Sequence, residues 1–144
     1  MLAYVFWHRP ADDTPQYADA LRAFHLALAS RPSAGFVASR TARVGPLPWL
    51  GGGGYEDWYF VEDFTALGLL NDAAVDAAHL SEHAAVAHLN ASGAGGLYKL
   101  IRGDWQADAA HEWSPTPFAT PGPGSLWQRQ MVLGPAPEYC FIAT

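Results

Sequence analysis

The spacing of apolar residues along the first thirty positions predicts one strand followed by one helix. Residues 1–7 form a short apolar run rich in aromatic side chains, as in a buried strand, and Pro10 ends it because proline cannot donate to a sheet. Thr14 followed by Pro15 is typical of a helix start, with threonine as N-cap and proline at the first helical position. The helix should run to about Ser30, on an apolar stripe formed by Tyr17, Leu21, Phe24 and Leu28.

Two strands joined by a glycine-rich segment are predicted next. Residues 35–44 can form the second strand, and residues 55–62 form the third, which is rich in aromatic and β-branched side chains. The four glycines at 51–54 predict a flexible connection between them. They do not form a phosphate-binding loop, because neither a lysine nor a helix follows them.

The middle of the chain predicts a second helical region and a fourth strand. Residues 66–91 are rich in alanine and leucine, as in one long helix or two helices with a break near residues 70–72. The glycine-rich residues 93–96 should end the helical region, and residues 97–102 should form the strand.

This order of elements defines the expected fold class. Strand, helix, strand, strand, helix, strand is the order of an α+β, ferredoxin-like β-α-β-β-α-β plait, here spanning residues 1–103. Residues 104–144 form a C-terminal extension that should pack on the same domain or on a partner subunit. Its predicted parts are a proline-rich loop (114–124) and an appended β-hairpin of two strands (126–133 and 138–143).

The predicted sheet is apolar on both faces. In residues 1–7 both alternating sets of side chains are apolar, and the same holds for residues 97–102 apart from Lys99 and Arg102. A sheet with two apolar faces needs a cover on each. The helices cover one face, so the other requires the C-terminal extension, a second copy of the chain, or both. We therefore expect a homodimer.

Composition and charge exclude several classes of function. The 144 residues carry 14 acidic and 8 basic side chains, a formal net charge of −6, and no basic cluster that would bind nucleic acid. No apolar run is long enough to span a membrane. Cys140 is the single cysteine, so an intramolecular disulfide cannot form, and we expect a cytoplasmic protein.

Two histidines are candidate catalytic residues. His8 ends the first strand, where its side chain can enter a cavity, and an imidazole is the natural general base for a reaction without a cofactor. It could equally hydrogen-bond a loop carbonyl. His25 lies at the edge of the apolar stripe of the first helix, a position more typical of a surface or interface residue.

Aromatic and arginine side chains complete the predicted site. Trp7, Trp58 and Tyr59 could hold a substrate, although the core is the first role of such residues. Arg102 and Arg129 are candidates for binding the substrate and stabilising a developing oxyanion. Arg129 could instead pair with Glu138 across the hairpin, a structural reading that we favour.

A metal site is the weaker alternative for another histidine pair. His79 and His83 are four residues apart on a predicted helix, so they could share one metal ion. The helix lacks the His-Glu-x-x-His motif of zinc proteases, His-x-x-x-His alone is a weak signal, and a polar helix face explains it as well. We therefore predict neither a metal nor another cofactor.

The layout of the first 103 residues resembles the dimeric α/β-barrel superfamily, and within it the EthD-like and stress-responsive barrel proteins. The resemblance rests on the run Tyr-Val-Phe-Trp-His-Arg-Pro at 4–10, a first helix carrying His25, and Gly-Gly-Leu-Tyr at 95–98. It implies two plaits packed sheet to sheet, each with a cavity between its sheet and its helices. It also implies that His25 matches a helix histidine of the EthD-like group and that His8 lies near the cavity mouth. The C-terminal extension departs from the pattern of that family.

Two functions from different classes agree with these features. The first is a cofactor-independent monooxygenase-like or isomerase-like enzyme that acts on a small apolar or aromatic substrate. The second is a non-catalytic dimeric module that binds a ligand or serves assembly. Fold resemblance alone does not select between them.

Overall fold

The computed structural model describes residues 1–76, 79–106, 110–119, 122–133 and 137–143 of the chain. Within these residues it forms seven strands and three helices. In chain order they are β1 (Leu2–Pro10), α1 (Pro15–Ser30), β2 (Phe36–Leu47), β3 (Gly52–Val61), α2 (Phe64–Val75), α3 (Leu80–Ala87), β4 (Asn90–Arg102), β5 (His111–Ser114), β6 (Gly124–Leu133) and β7 (Tyr139–Ala143).

The seven described strands belong to one antiparallel sheet in the order β2-β3-β1-β4-β6-β7-β5. β3 lies between β1 and β2, and β1 lies between β3 and β4. β4 also pairs with β6, so the C-terminal extension continues the sheet. Residues 134–136, at the predicted hairpin turn, lie outside the described residues.

The helices cover one face of the sheet, which we call the helix face. The predicted start of α1 is confirmed, because the Thr14 side chain accepts a hydrogen bond from the Tyr17 N–H at 3.3 Å. Asp63 caps α2 in the same way, accepting from the Ala66 N–H at 2.9 Å. The core on this face consists of Leu2, Phe24, Leu28, Tyr59, Val61, Ala66, Leu70 and Leu97.

The C-terminal extension covers the opposite face, which we call the tryptophan face. Trp7 and Trp58 lie on it, fully buried. Trp113 of β5 stacks on Trp58, with ring centroids 5.4 Å apart, and meets Trp7 edge to face at 4.9 Å. Trp127 of β6 packs in the same cluster. The sheet thus curls so that its own last strands shield the second apolar face.

This arrangement changes the basis of the predicted homodimer. That prediction rested on a sheet face that needed a cover, and the chain supplies the cover itself. Self-association stays a prediction, and a dimer of the full chain would form through another surface.

Two glycine-rich segments that we predicted as a connection and a helix end lie within strands. Gly52–Gly54 begin β3 and residues 93–96 belong to β4. A Cβ on Gly54 would lie 2.3 Å from the His8 carbonyl oxygen, and one on Gly93 would lie 2.5 Å from the Phe6 ring. These glycines therefore permit close approach rather than flexibility.

The helical region also differs from its prediction. The break lies between Val75 and Leu80, not at residues 70–72, because Asn71 and Asp72 occupy exposed positions of α2 that tolerate polar side chains. Residues 77 and 78 lie outside the described residues. None of the described helices combines the length and apolar composition needed to cross a membrane.

Candidate functional site

Two adjoining cavities lie between the helices and the helix face of the sheet. Both are half open to solvent, the larger with a volume of about 640 Å³ and the smaller with about 300 Å³. They share four lining residues, which are Phe6, Phe24, Tyr59 and His83. The larger cavity is mostly apolar, and Phe64, Val75 and Met131 on its lining are exposed. Both volumes fall within the range of small-molecule sites.

A buried carboxylate, Asp57, lies at the smaller cavity and binds His8. Only 2% of Asp57 is exposed, and its Oδ2 lies 2.9 Å from His8 Nε2. The Tyr59 hydroxyl donates to the same oxygen at 3.1 Å. His8 Nδ1 is hydrogen-bonded to the Tyr17 hydroxyl. Antiparallel pairing of β1 with β3 places His8, Asp57 and Tyr59 together on the helix face, and Tyr17 reaches them from α1.

His25 approaches Asp57 from α1. Its Nε2 lies 3.5 Å from Asp57 Oδ1, and its Nδ1 lies 2.8 Å from the Ser39 hydroxyl. Its ring stacks on Tyr59 with centroids 5.2 Å apart. The first-helix histidine is thus buried beside the site rather than on the surface, because the edge of the α1 stripe faces the sheet.

The charges in this network follow from its burial. Burial alone would raise the pKa of Asp57, but hydrogen bonds and charge from His25 and His8 hold it well below its usual range. Burial and the Asp57 charge raise the pKa of Tyr17 and of Tyr59, so both stay protonated donors. His8 bridges two of these groups, with Nδ1 hydrogen-bonded to the Tyr17 hydroxyl and Nε2 to Asp57 Oδ2.

His83 is a half-buried titratable side chain of the site. It lines both cavities, and its ring meets Phe24 edge to face at 5.8 Å. Its side chain forms no hydrogen bond or ion pair with any described residue. His79, its proposed partner, is buried with Nε2 3.3 Å from the Arg31 carbonyl oxygen and lines neither cavity. Among the described residues, no three His, Cys, Asp or Glu side chains lie where they could share a metal ion.

The other predicted site residues do not border either cavity. Trp7 and Trp58 lie on the tryptophan face, because β1 and β3 alternate and Tyr59, beside Trp58, faces the helices. Arg102 donates to the Gly122 carbonyl at 3.0 Å, in the extension. Arg129 lies 4.0 Å from Glu138, the cross-hairpin pair that we favoured from the sequence.

A second buried carboxylate, Glu56, anchors the tryptophan face. It accepts hydrogen bonds from the indole N–H groups of Trp7 at 2.7 Å, Trp58 at 2.6 Å and Trp113 at 2.9 Å. His111 Nε2 lies 2.8 Å from its Oε1. Burial would raise the pKa of Glu56, but hydrogen bonds from His111 and the indoles lower it. Glu56 thereby ties β5 to β1 and β3.

Sequence reasoning missed both carboxylates, although the signal was present. Glu56 and Asp57 interrupt a strand of aromatic and β-branched residues. A strand with both faces buried also buries any charge within it, and buried charges need partners. Their partners are indoles and imidazoles distant in sequence, so only the folded sheet reveals them.

Comparison with known proteins supports the fold and nothing finer. No protein-family model matches the sequence, and no curated protein sequence matches it. The solved structure of At3g17210 from Arabidopsis thaliana is 13% identical with a TM-score of 0.55, and the match covers 73% of this chain and all of that one. A dimeric protein of unknown function and ferredoxin-like fold from Bacteroides fragilis is 13% identical with a TM-score of 0.49, over 68% of this chain and 94% of that one.

The α+β prediction with an antiparallel sheet is confirmed by the structure itself, and At3g17210 is a structural neighbour over 73% of the chain. Membership of the EthD-like group and the sheet-to-sheet dimeric barrel stay predictions.

Proposed function

We propose that this protein is a cofactor-independent enzyme that moves a proton on a small apolar or aromatic substrate. The observation that carries the proposal is a buried cluster of ionisable groups opening into an apolar cavity, with His83 at the junction of the two cavities. Removal of a proton from a weakly acidic C–H and its return to another carbon is the chemistry of a proton-transfer isomerase. The removal alone is the first step of a cofactor-free monooxygenase.

His83 is the proton acceptor in this proposal. His8 has both ring nitrogens occupied, by Tyr17 and by Asp57, so it cannot take a proton directly from a substrate. His8 and His25 are instead positioning residues, which hold Asp57 in place. The Asp57 carboxylate in the same cavity stabilises the imidazolium that forms on His83.

Tyr4 is the candidate for stabilising negative charge on the substrate. It lines the larger cavity, and burial and the Asp57 charge raise the pKa of its hydroxyl. A hydroxyl that keeps its proton can donate a hydrogen bond to a developing oxyanion. Tyr4 takes the role that we had assigned to Arg102 or Arg129, neither of which lines either cavity.

A non-catalytic ligand-binding module is the second candidate. The observation that favours it is the complete pairing of His8 and of Asp57 Oδ2 within the protein. Such a network can serve only to support the cavity wall. The two candidates differ in whether His83 transfers a proton.

Solvent-deuterium exchange tests the proposal. We expect the protein to accelerate exchange of the benzylic protons of 1-phenylpropan-2-one in D2O, followed by proton NMR. His83→Gln should reduce that acceleration about 100-fold, the usual contribution of a general base. His88→Gln, an exposed histidine at the end of the same helix, is the matched control and should leave it unchanged. Equal rates for His83→Gln and the unmodified protein would favour the binding module.

A further inference from the structure

The smaller cavity has an unusual charge balance. Among the described residues that line either cavity, Asp57 is the one acidic side chain, and there is no lysine or arginine. The basic neighbours of this carboxylate are two histidines, His8 with Nε2 at 2.9 Å and His25 with Nε2 at 3.5 Å, rather than a permanently charged lysine or arginine. A buried carboxylate in this state attracts a positive ligand group and repels an anionic one.

The cavity also holds acceptor oxygens that the protein satisfies poorly. Asn90 Oδ1 has no hydrogen-bond partner within the described part of the chain, Asp57 Oδ1 has only the long 3.5 Å approach of His25 Nε2, and both residues line the smaller cavity. Unpaired buried acceptors cost free energy, which a ligand with N–H donors would recover. An ammonium group has three donors and no acceptor, so it fits this set.

Aromatic rings border the same space. Phe6, Phe24 and Tyr59 line both cavities, so a group that sits where the cavities meet is surrounded by ring systems. Aromatic faces attract ammonium ions through their quadrupoles, and the attraction grows when water is excluded. The larger cavity continues from this point with mostly apolar walls, suited to an uncharged hydrocarbon body.

We propose that the smaller cavity binds the ammonium group of a primary amine whose apolar body extends into the larger cavity. This inference rests on the proposed function in assigning the substrate to the same cleft. The amine anchors at Asp57 and Asn90, which brings the carbon atoms next to it to His83 at the junction.

Calorimetric binding of three matched probes at about pH 8 tests the inference, since an ordinary imidazole is neutral there and an alkylamine is charged. The probes are 2-phenylethylamine, 2-phenylethanol and 3-phenylpropanoate. We expect the amine to bind about tenfold more tightly than the alcohol, and the carboxylate to bind most weakly. Binding of the carboxylate as tightly as the amine, or no measurable binding of the amine, would overturn the inference.

Two variants locate the preference. Asp57→Asn should abolish the preference for the amine over the alcohol. Glu56→Gln is the control, because it alters the adjacent buried carboxylate on the opposite face, and it should retain that preference. A preference that persists in folded Asp57→Asn also overturns the inference. If Asp57→Asn does not fold, Asn90→Leu takes its place and should weaken binding of the amine more than binding of the alcohol. Equal weakening of both would count against the inference. These binding measurements need no turnover. If the amine shows no preference, the proposed role of His83 still stands, and if the protein does not accelerate deuterium exchange, the amine site still stands.

Discussion

Glu56→Ala should lower the free energy of unfolding by about 3–5 kcal/mol, the typical cost of breaking a buried charged pair. The substitution leaves the indole N–H groups of Trp7, Trp58 and Trp113 without their acceptor. It also removes the carboxylate that lies 2.8 Å from His111. Urea denaturation followed by tryptophan fluorescence measures the loss.

Glu112→Ala is the matched control for this prediction. Glu112 lies within β5, between His111 and Trp113, but its side chain is exposed. Its removal should change the free energy of unfolding by about 0.5 kcal/mol or less, as at most surface positions. Equal effects of the two substitutions would show that Glu56 does not anchor the tryptophan face.

A chain that ends at Gly103 should fail to give a soluble monomer. The truncation removes Trp105, Trp113 and Trp127 from the tryptophan face and uncovers Trp7 and Trp58. Loss of one buried tryptophan side chain alone typically costs about 3–5 kcal/mol, and an exposed apolar face of this kind promotes association. We expect aggregation or self-association, measured by size-exclusion chromatography with light scattering.

The full-length chain is the control in that experiment. Its own mass in solution tests the predicted homodimer, because the tryptophan face is covered in it and a dimer would use a different surface. A truncated chain that stays monomeric with the circular dichroism of a folded α+β protein would contradict our view of the extension as the cover.

Local signals in the sequence predicted some elements well. The start and end of α1 follow from Thr14, Pro15 and the apolar stripe, all within a few turns of one helix. β5 was missed because its four residues carry no strand pattern of their own. Its place depends on Trp113 and His111 reaching Glu56 across the sheet, which is a contact between residues far apart in the chain.

The candidate site was predictable only in part, because it too depends on contacts between residues far apart in the chain. We predicted His8 at the end of the first strand, but β1 runs on to Pro10 and pairs His8 with Tyr55 and Gly93. His8 nevertheless lines the smaller cavity, as its predicted place near a cavity required. Strand alternation puts Trp58 and Tyr59 on opposite faces, but the sequence alone does not say which face holds the cavity. The partner of His8 was equally hidden, because β3 is distant from it in the chain.

The location of the ligand site is the central claim, and histidine NMR tests it most directly. The imidazole signals, assigned with single His→Gln variants, are followed while 1-phenylpropan-2-one is added. His8 and His83 line the cavities on the helix face, whereas His111 lies at Glu56 on the tryptophan face. We predict that the signals of His83 and His8 shift together with saturation while that of His111 stays in place. A shift confined to His111, or no shift of His83 at saturating probe, would contradict a ligand site between the helices and the sheet.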